Sequence, residues 1–143
     1  MQKMCFIMLT YKCNLNCVYC YQKFKTTQCM TLETAKSIVE REVQLARETN
    51  NKDGVRFDLF GGEPLLQFDL IKELCAWIWE TITDIKVDIF ITTNGTLLDD
   101  TKRKWFEANK EKIVERMKSY RKANKEKIAE KKKSYRKTNK EKI

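Results

Sequence analysis

The chain has no histidine, one proline and four glycines in 143 residues. The missing histidine removes Cys/His zinc sites, histidine-held haem, Ser-His-Asp hydrolysis and any imidazole general base. No apolar run reaches the roughly 18 residues that a membrane span needs. Met4–Thr10 is apolar but short, and it leads into Tyr11 and Lys12 without the small residues of a cleavage site, so no signal peptide is expected. These absences point to a cytoplasmic protein with no membrane partner. In that compartment the six cysteines are expected to stay reduced and to serve metal or redox chemistry rather than disulfides.

The length predicts about one domain, but the charge is not spread evenly. Residues 1–100 carry 11 basic and 14 acidic side chains, a net of −3, whereas 101–143 carry 18 and 6, a net of +12. Every cysteine, every glycine and the proline lie before residue 101. Such a shift marks a boundary, placed near Lys104, between a first region (1–104) and a basic tail (105–143).

The first region alternates strand and helix patterns. Met4–Thr10 is a nearly all-apolar run, as expected of a strand buried on both faces. Thr31 suits the N-cap of a helix over Leu32–Thr49, with Glu33 in its first turn and Ala35, Ile38, Val39, Val43 and Ala46 on one face. Val55–Phe60 predicts a second strand, broken by Gly61-Gly62. Phe68–Thr83 predicts a second helix with Leu70, Ile71, Leu74, Trp77, Ile78 and Ile82 inward, and Val87–Thr92 a third strand. The order β-α-β-α-β implies an α/β fold with parallel strands and right-handed crossovers. Active sites of such folds gather at the carboxyl ends of the strands. The loop after strand one, the stretch Gly61–Pro64 and the stretch Thr93–Gly95 all fall there.

The loop after strand one reads Cys13-Asn-Leu-Asn-Cys17-Val-Tyr-Cys20. Three thiolates within eight residues can wrap one small inorganic core, and soft sulfur selects zinc, copper or an iron–sulfur cluster. Structural zinc wants four protein ligands, for which Cys29 is the fourth candidate. Three ligands on a four-iron cluster leave one iron open. Three reduced cysteines without a ligand is the remaining reading. Cys5 and Cys75 read as small buried hydrophobes, Cys29 as structural, and Trp77 and Trp79 as core or interface.

The triplet, with Tyr19 before its third cysteine, resembles the signature of the radical S-adenosylmethionine (radical SAM) enzymes. Phe60-Gly-Gly-Glu-Pro-Leu-Leu66 resembles that family's glycine-rich element, and Thr92-Thr-Asn-Gly-Thr-Leu97 the end of its third strand. Together they resemble the SPASM-like subgroup that matures sulfatases and ribosomal peptides. The resemblance covers about residues 3–100 and implies the β-α-β-α-β portion, about half, of a partial barrel. It implies that Cys13, Cys17 and Cys20 hold three irons of a 4Fe–4S cluster. The fourth iron takes the amino and carboxylate groups of S-adenosyl-L-methionine. Gly61 and Gly62 let the backbone approach the cofactor's ammonium, Glu63 supplies it with negative charge, and Pro64 stiffens the turn. Tyr19 lies near the adenine, and Thr93 and Asn94 are further contacts. One electron into the cluster yields a deoxyadenosyl radical that abstracts hydrogen from a peptide or protein substrate; a reductant such as flavodoxin or ferredoxin is implied.

After residue 100 the resemblance stops. A 15-residue unit begins at Ala108, again at Ala123 and again at Thr138, with Ile113, Tyr120, Ile128, Tyr135 and Ile143 spaced 7, 8, 7 and 8 apart. That stripe predicts a long, basic, coiled-coil-like helix with right-handed overtwist, starting near Asp99 or Asp100. Two functions are expected. One is a radical SAM enzyme whose turnover is impaired by the absent half of the barrel. The other is a non-catalytic iron–sulfur half-domain whose basic helix binds nucleic acid or a partner protein.

Overall fold

The computed structural model describes residues 1–113. Its elements are β1 (Lys3–Thr10), α1 (Leu32–Glu48), β2 (Val55–Gly61), a 3₁₀ turn (Pro64–Gln67), α2 (Phe68–Thr81), β3 (Val87–Ile91) and α3 (Asp100–Ala108). The strands form one parallel sheet in the order β1-β2-β3. The chain divides into two units, Met1–Lys104 and Trp105–Ile143. The expected repeat helix and its nucleic-acid contact fall almost wholly outside the described residues. Within them, α3 starts where the sequence suggests, with Asp99 Oδ1 accepting from the Lys102 amide at 2.8 Å. No helix among the described residues is long and apolar enough to cross a membrane.

Local signals explain the helices. Thr31 caps α1 by accepting from the Thr34 amide at 3.2 Å, and Glu33 and Arg47 sit at the dipole ends that favour their charges. Ala35, Val39, Val43 and Ala46 are buried at helical spacing. From α2 come Ile71, Leu74, Cys75 and Ile78. α2 ends two residues sooner than expected: Ile82 leaves the helical region at its C-cap, two residues before Asp84 pairs with Arg47.

Both helices cover one face of the sheet. Ile7 and Leu9 of β1, Val55, Phe57 and Leu59 of β2, and Ile89 of β3 are almost fully buried beneath them. Side chains of this kind contribute about 1.5–3 kcal/mol each when fully buried, which makes this layer the core of the first unit. The other face departs from expectation. Met4 and Phe6 remain 55% and 62% exposed, so β1 is buried on one face only. The register explains why an apolar strand sits half open. Its neighbours on that face are Arg56, Asp58 and Phe60 of β2 and Asp88 and Phe90 of β3, a mixed surface. Arg56 pairs with Asp58 at 2.7 Å and lies 3.7 Å from the Phe90 ring centre, while Phe6 meets Phe60 edge-on at 6.1 Å.

β1 ends in an irregularity between Met8 and Thr10, which lets consecutive Leu9 and Thr10 both be buried. Its outer edge is partly covered there. Met30 donates to the Leu9 carbonyl at 2.8 Å and Tyr11 to the Gln28 carbonyl at 3.0 Å, around an antiparallel bridge between Thr10 and Cys29.

Candidate functional site

The parallel order brings the loops after β1, β2 and β3 to one edge of the sheet. In the first, Cys13, Cys17 and Cys20 are all half-buried. The Cys20 amide donates to the Cys17 carbonyl at 3.1 Å, the Leu15 amide approaches Cys13 Sγ at 3.5 Å, and Lys25 Nζ donates to the Leu15 carbonyl. Tyr19 points outward, 87% exposed. Among the described residues no three cysteine, aspartate or glutamate side chains converge on one metal position. Thiolate sites commonly close only as the metal binds. Just past Cys20, the Gln22 side-chain amide is buried with neither its nitrogen nor its oxygen hydrogen-bonded. Such a group carries a desolvation penalty until a partner meets it.

The second loop explains its glycines by close packing. The Gly62 amide donates to the Thr10 carbonyl at 2.8 Å and the Glu63 amide to the Lys12 carbonyl at 2.9 Å. A Cβ on Gly61 would strike the Thr10 carbonyl oxygen; one on Gly62 would strike that of Lys12 and lie 3.0 Å from Cys13 Cβ. The glycines therefore let the chain leaving β1 pass directly against β2. This packing requirement stands beside the reason the resemblance implies, the approach of a cofactor's ammonium to the backbone. The space a Cβ would fill at these two positions is filled by protein backbone.

Glu63, which the resemblance expects to offer negative charge to an ammonium, is wholly buried and accepts from donors of the protein itself. Oε1 accepts from the Leu65 amide at 3.0 Å and from Thr93 Oγ1 at 2.5 Å; Oε2 accepts from the Asn94 amide at 2.9 Å. The carboxylate thus fastens the turn after β3 to the turn after β2. Pro64, buried, opens the 3₁₀ turn that Glu63 caps, a position where its missing N–H costs nothing. Thr93 and Asn94 are held by this brace, and the Thr93 hydroxyl in turn accepts from the Gly95 amide at 3.0 Å.

Three participants were not singled out from the sequence. Asn14, inside the cysteine loop, bonds with both Asn94 and Thr96 of the turn after β3. Thr10 accepts from the Lys12 amide at 3.1 Å, shaping the start of the cysteine loop. Polar residues in loops are too common for any of the three to stand out without the fold.

The other cysteines separate by environment. Cys75 is fully buried, and desolvation pushes its thiol up to about 12. Cys5 is only half-buried, less than expected; partial burial, then the nearby Glu42 carboxylate, raise its thiol. Cys29 is exposed, accepts from Gln67 Nε2 at 3.2 Å and lies 3.3 Å from Thr10 Oγ1, on the flank of β1.

A family model described as the radical SAM superfamily matches residues 7–140. An uncharacterized protein of Methanocaldococcus jannaschii is 31% identical over 110 residues, covering 77% of this chain and 32% of its own length. A radical SAM cyclopropyl synthase of Paramaledivibacter caminithermalis is 31% identical over 105 residues (64% and 22%). A probable GTP 3′,8-cyclase of M. jannaschii is 33% identical over 109 residues (75% and 33%). The chain spans a third or less of the length of these relatives.

Proposed function

The chain belongs to the radical SAM superfamily, and from that premise we propose that it binds a 4Fe–4S cluster through Cys13, Cys17 and Cys20, and S-adenosylmethionine beside it at the carboxyl edge of the sheet. Members of the family use these two cofactors. The observation that carries the assignment of residues is the joining of all three loops at one edge through Glu63.

The donor set fits the cluster. Three half-buried thiols share one short loop, and no imidazole is available anywhere in the chain. When bound, the two cofactors supply one-electron reductive cleavage of S-adenosylmethionine and hydrogen abstraction from a substrate. The protein's own residues bind and orient. Gly61 and Gly62 seat the root of the cysteine loop against β2, and Glu63 and Pro64 fix the turn that carries it. Tyr19, Thr93 and Asn94 flank the cofactor position.

We propose a peptide or protein as the substrate. The joint resemblance of the cysteine triplet, the glycine element and Thr92–Leu97 to the peptide-modifying subgroup supports it, and so does the open sheet face. That face offers Met4, Phe6, Phe60 and Phe90, while its cation, Arg56, is already paired with Asp58 and stacked on Phe90. Asp58 and Asp88 share the surface, an unfavourable setting for a nucleotide's phosphates. A small electron-transfer protein such as flavodoxin or ferredoxin is the proposed reductant. The +12 charge of residues 101–143 favours a nucleic-acid contact as a second reading, tested by whether affinity falls steeply with salt and disappears on truncation at Lys104.

The test is anaerobic reconstitution of the full chain with iron and sulfide. About four irons per chain and broad thiolate-to-iron absorption are expected, followed by cofactor cleavage under a strong reductant. Equal iron in wild type and Cys17→Ala refutes the cluster assignment. Cleavage stimulated by GTP and not by peptides refutes the substrate class.

A further inference from the structure

We propose that Asn14 is a positioning residue: its side-chain amide latches the cysteine loop onto the turn after β3 and so fixes where Cys13–Cys20 stand relative to the turns at the ends of β2 and β3. Three side chains form the latch. Asn14 Nδ2 donates to Thr96 Oγ1 at 2.8 Å, Thr96 Oγ1 donates to Asn94 Oδ1 at 2.8 Å, and Asn94 Nδ2 donates to Asn14 Oδ1 at 3.1 Å. Each member gives one bond and receives one, so the ring closes in a single direction, the arrangement in which hydrogen bonds polarise one another. The Thr96 amide adds a further bond to Asn94 Oδ1 at 3.0 Å. Asn94 is the only one of the three whose backbone reaches into the interior, through its amide on the buried Glu63 carboxylate.

Beyond its root the loop has few other ties. Between Lys12 and Cys20 it carries one internal backbone hydrogen bond, from Cys20 to Cys17. Its root is pinned to the turn after β2 through Lys12, and Lys25 reaches the Leu15 carbonyl from a long side chain that loses rotamer freedom in doing so. Asn14 follows Cys13 directly and binds across 80 and 82 residues of sequence to Asn94 and Thr96. The ring is therefore a long-range tie from the start of the cysteine loop, just past its root, to the turn after β3. Because it ends on Glu63, it joins the cysteine loop, the glycine turn and the β3 turn into one hydrogen-bonded path. An exposed ring of this size holds the loop with the strength of two ordinary hydrogen bonds, about tenfold in the opening equilibrium.

The latch stands on geometry alone; its effect on the cluster rests on the function proposed above. The experiment separates the two. In the iron-free full chain, amide exchange at Leu15 and Cys20 should quicken by about tenfold in Asn14→Leu, which keeps the volume and removes both bonds. Asn14→Asp keeps an acceptor for Asn94 Nδ2 and should fall between. Adding Thr96→Val to Asn14→Leu should change exchange no further, since both act on one ring. Exchange at the wild-type rate in Asn14→Leu, or fully additive effects, overturns the latch. In the reconstituted chain, Asn14→Leu should still take up iron, release it to a chelator several-fold faster and give an altered paramagnetic resonance spectrum when reduced. Asn14→Asp should restore the spectrum in part. Faster exchange with wild-type iron release and spectrum overturns the positioning role. A wild-type chain that takes up no iron overturns the cluster assignment, while the exchange arm, which needs no metal, still decides the latch.

Discussion

Replacing Glu63 by glutamine distinguishes a brace from a ligand contact. The wild-type carboxylate is fully buried and accepts three hydrogen bonds, two on Oε1 from Leu65 and Thr93 and one on Oε2 from Asn94. Glutamine has one oxygen. If that oxygen keeps the Leu65 and Thr93 bonds, the new amide nitrogen faces the Asn94 N–H, donor against donor at the 2.9 Å of the present bond. One bond to a carboxylate is lost and a buried donor is stranded, at about 2 kcal/mol. Alanine strands all three donors and opens a cavity, at about 3–5 kcal/mol. Against a total stability of about 5–15 kcal/mol the glutamine variant stays folded. With a urea dependence of about 2 kcal/mol per molar its unfolding midpoint drops by about 1 M. The assay is urea unfolding of the iron-free chain, followed by S-adenosylmethionine binding to reconstituted Glu63→Gln. A variant that unfolds at the wild-type midpoint yet binds the cofactor tenfold more weakly refutes the brace and restores Glu63 as a direct partner of the ammonium.

Gly62→Ala should lower iron uptake as well as cofactor affinity, because its Cβ meets Lys12 and Cys13 at the root of the cysteine loop; iron per chain after reconstitution checks this, and full loading with weakened cofactor binding contradicts it. Alkylation of the iron-free folded chain at pH 8 should modify exposed Cys29 within minutes and leave Cys75 unmodified until denaturant is added, since Cys75 is buried with its thiol pushed up to about 12; equal rates contradict the burial. The Lys3 ammonium, 2.8 Å from Glu42, holds that carboxyl below its ordinary value through a hydrogen bond, which outweighs the opposing effect of burial. A depressed folded value stabilises above the unfolded one and fades as pH falls through it. Lys3→Ala should therefore be less stable than wild type at pH 7, and the gap should close as pH drops below about 4.5; a gap independent of pH contradicts the pairing.

Much of the fold was legible because its signals are local. Thr31 as a cap, the four-residue spacing of Ala35, Val39 and Val43, and the short apolar strands at Met4–Thr10, Val55–Phe60 and Val87–Thr92 depend on a few neighbouring residues each. The expectation that failed, β1 buried on both faces, concerned what lies across the sheet from Met4 and Phe6, which a strand's own composition does not encode. For the candidate site, the cysteine triplet, the glycine element and the Thr93–Gly95 turn were all marked by residue type. The reasons for those residues were not. Gly62 is glycine because of Lys12, 50 positions earlier, and Glu63 is held by Thr93 and Asn94, 30 and 31 positions later.

The sequence by itself determined the donor set, the α/β order and the family, since soft ligands at fixed spacing and alternating hydrophobic periods are properties of the chain. Tertiary structure alone decided what those residues touch. Parallel pairing of β1 and β2 puts the Thr10 and Lys12 carbonyls where a side chain at 61 or 62 would be, and parallel pairing of β2 and β3 delivers Thr93 and Asn94 to the Glu63 carboxylate. A buried carboxylate must find its donors wherever the strands bring them. Its role as a brace, and the place of Asn14 at the outer end of that brace, come from distances of a few ångströms between segments that the sequence holds 30 to 80 residues apart.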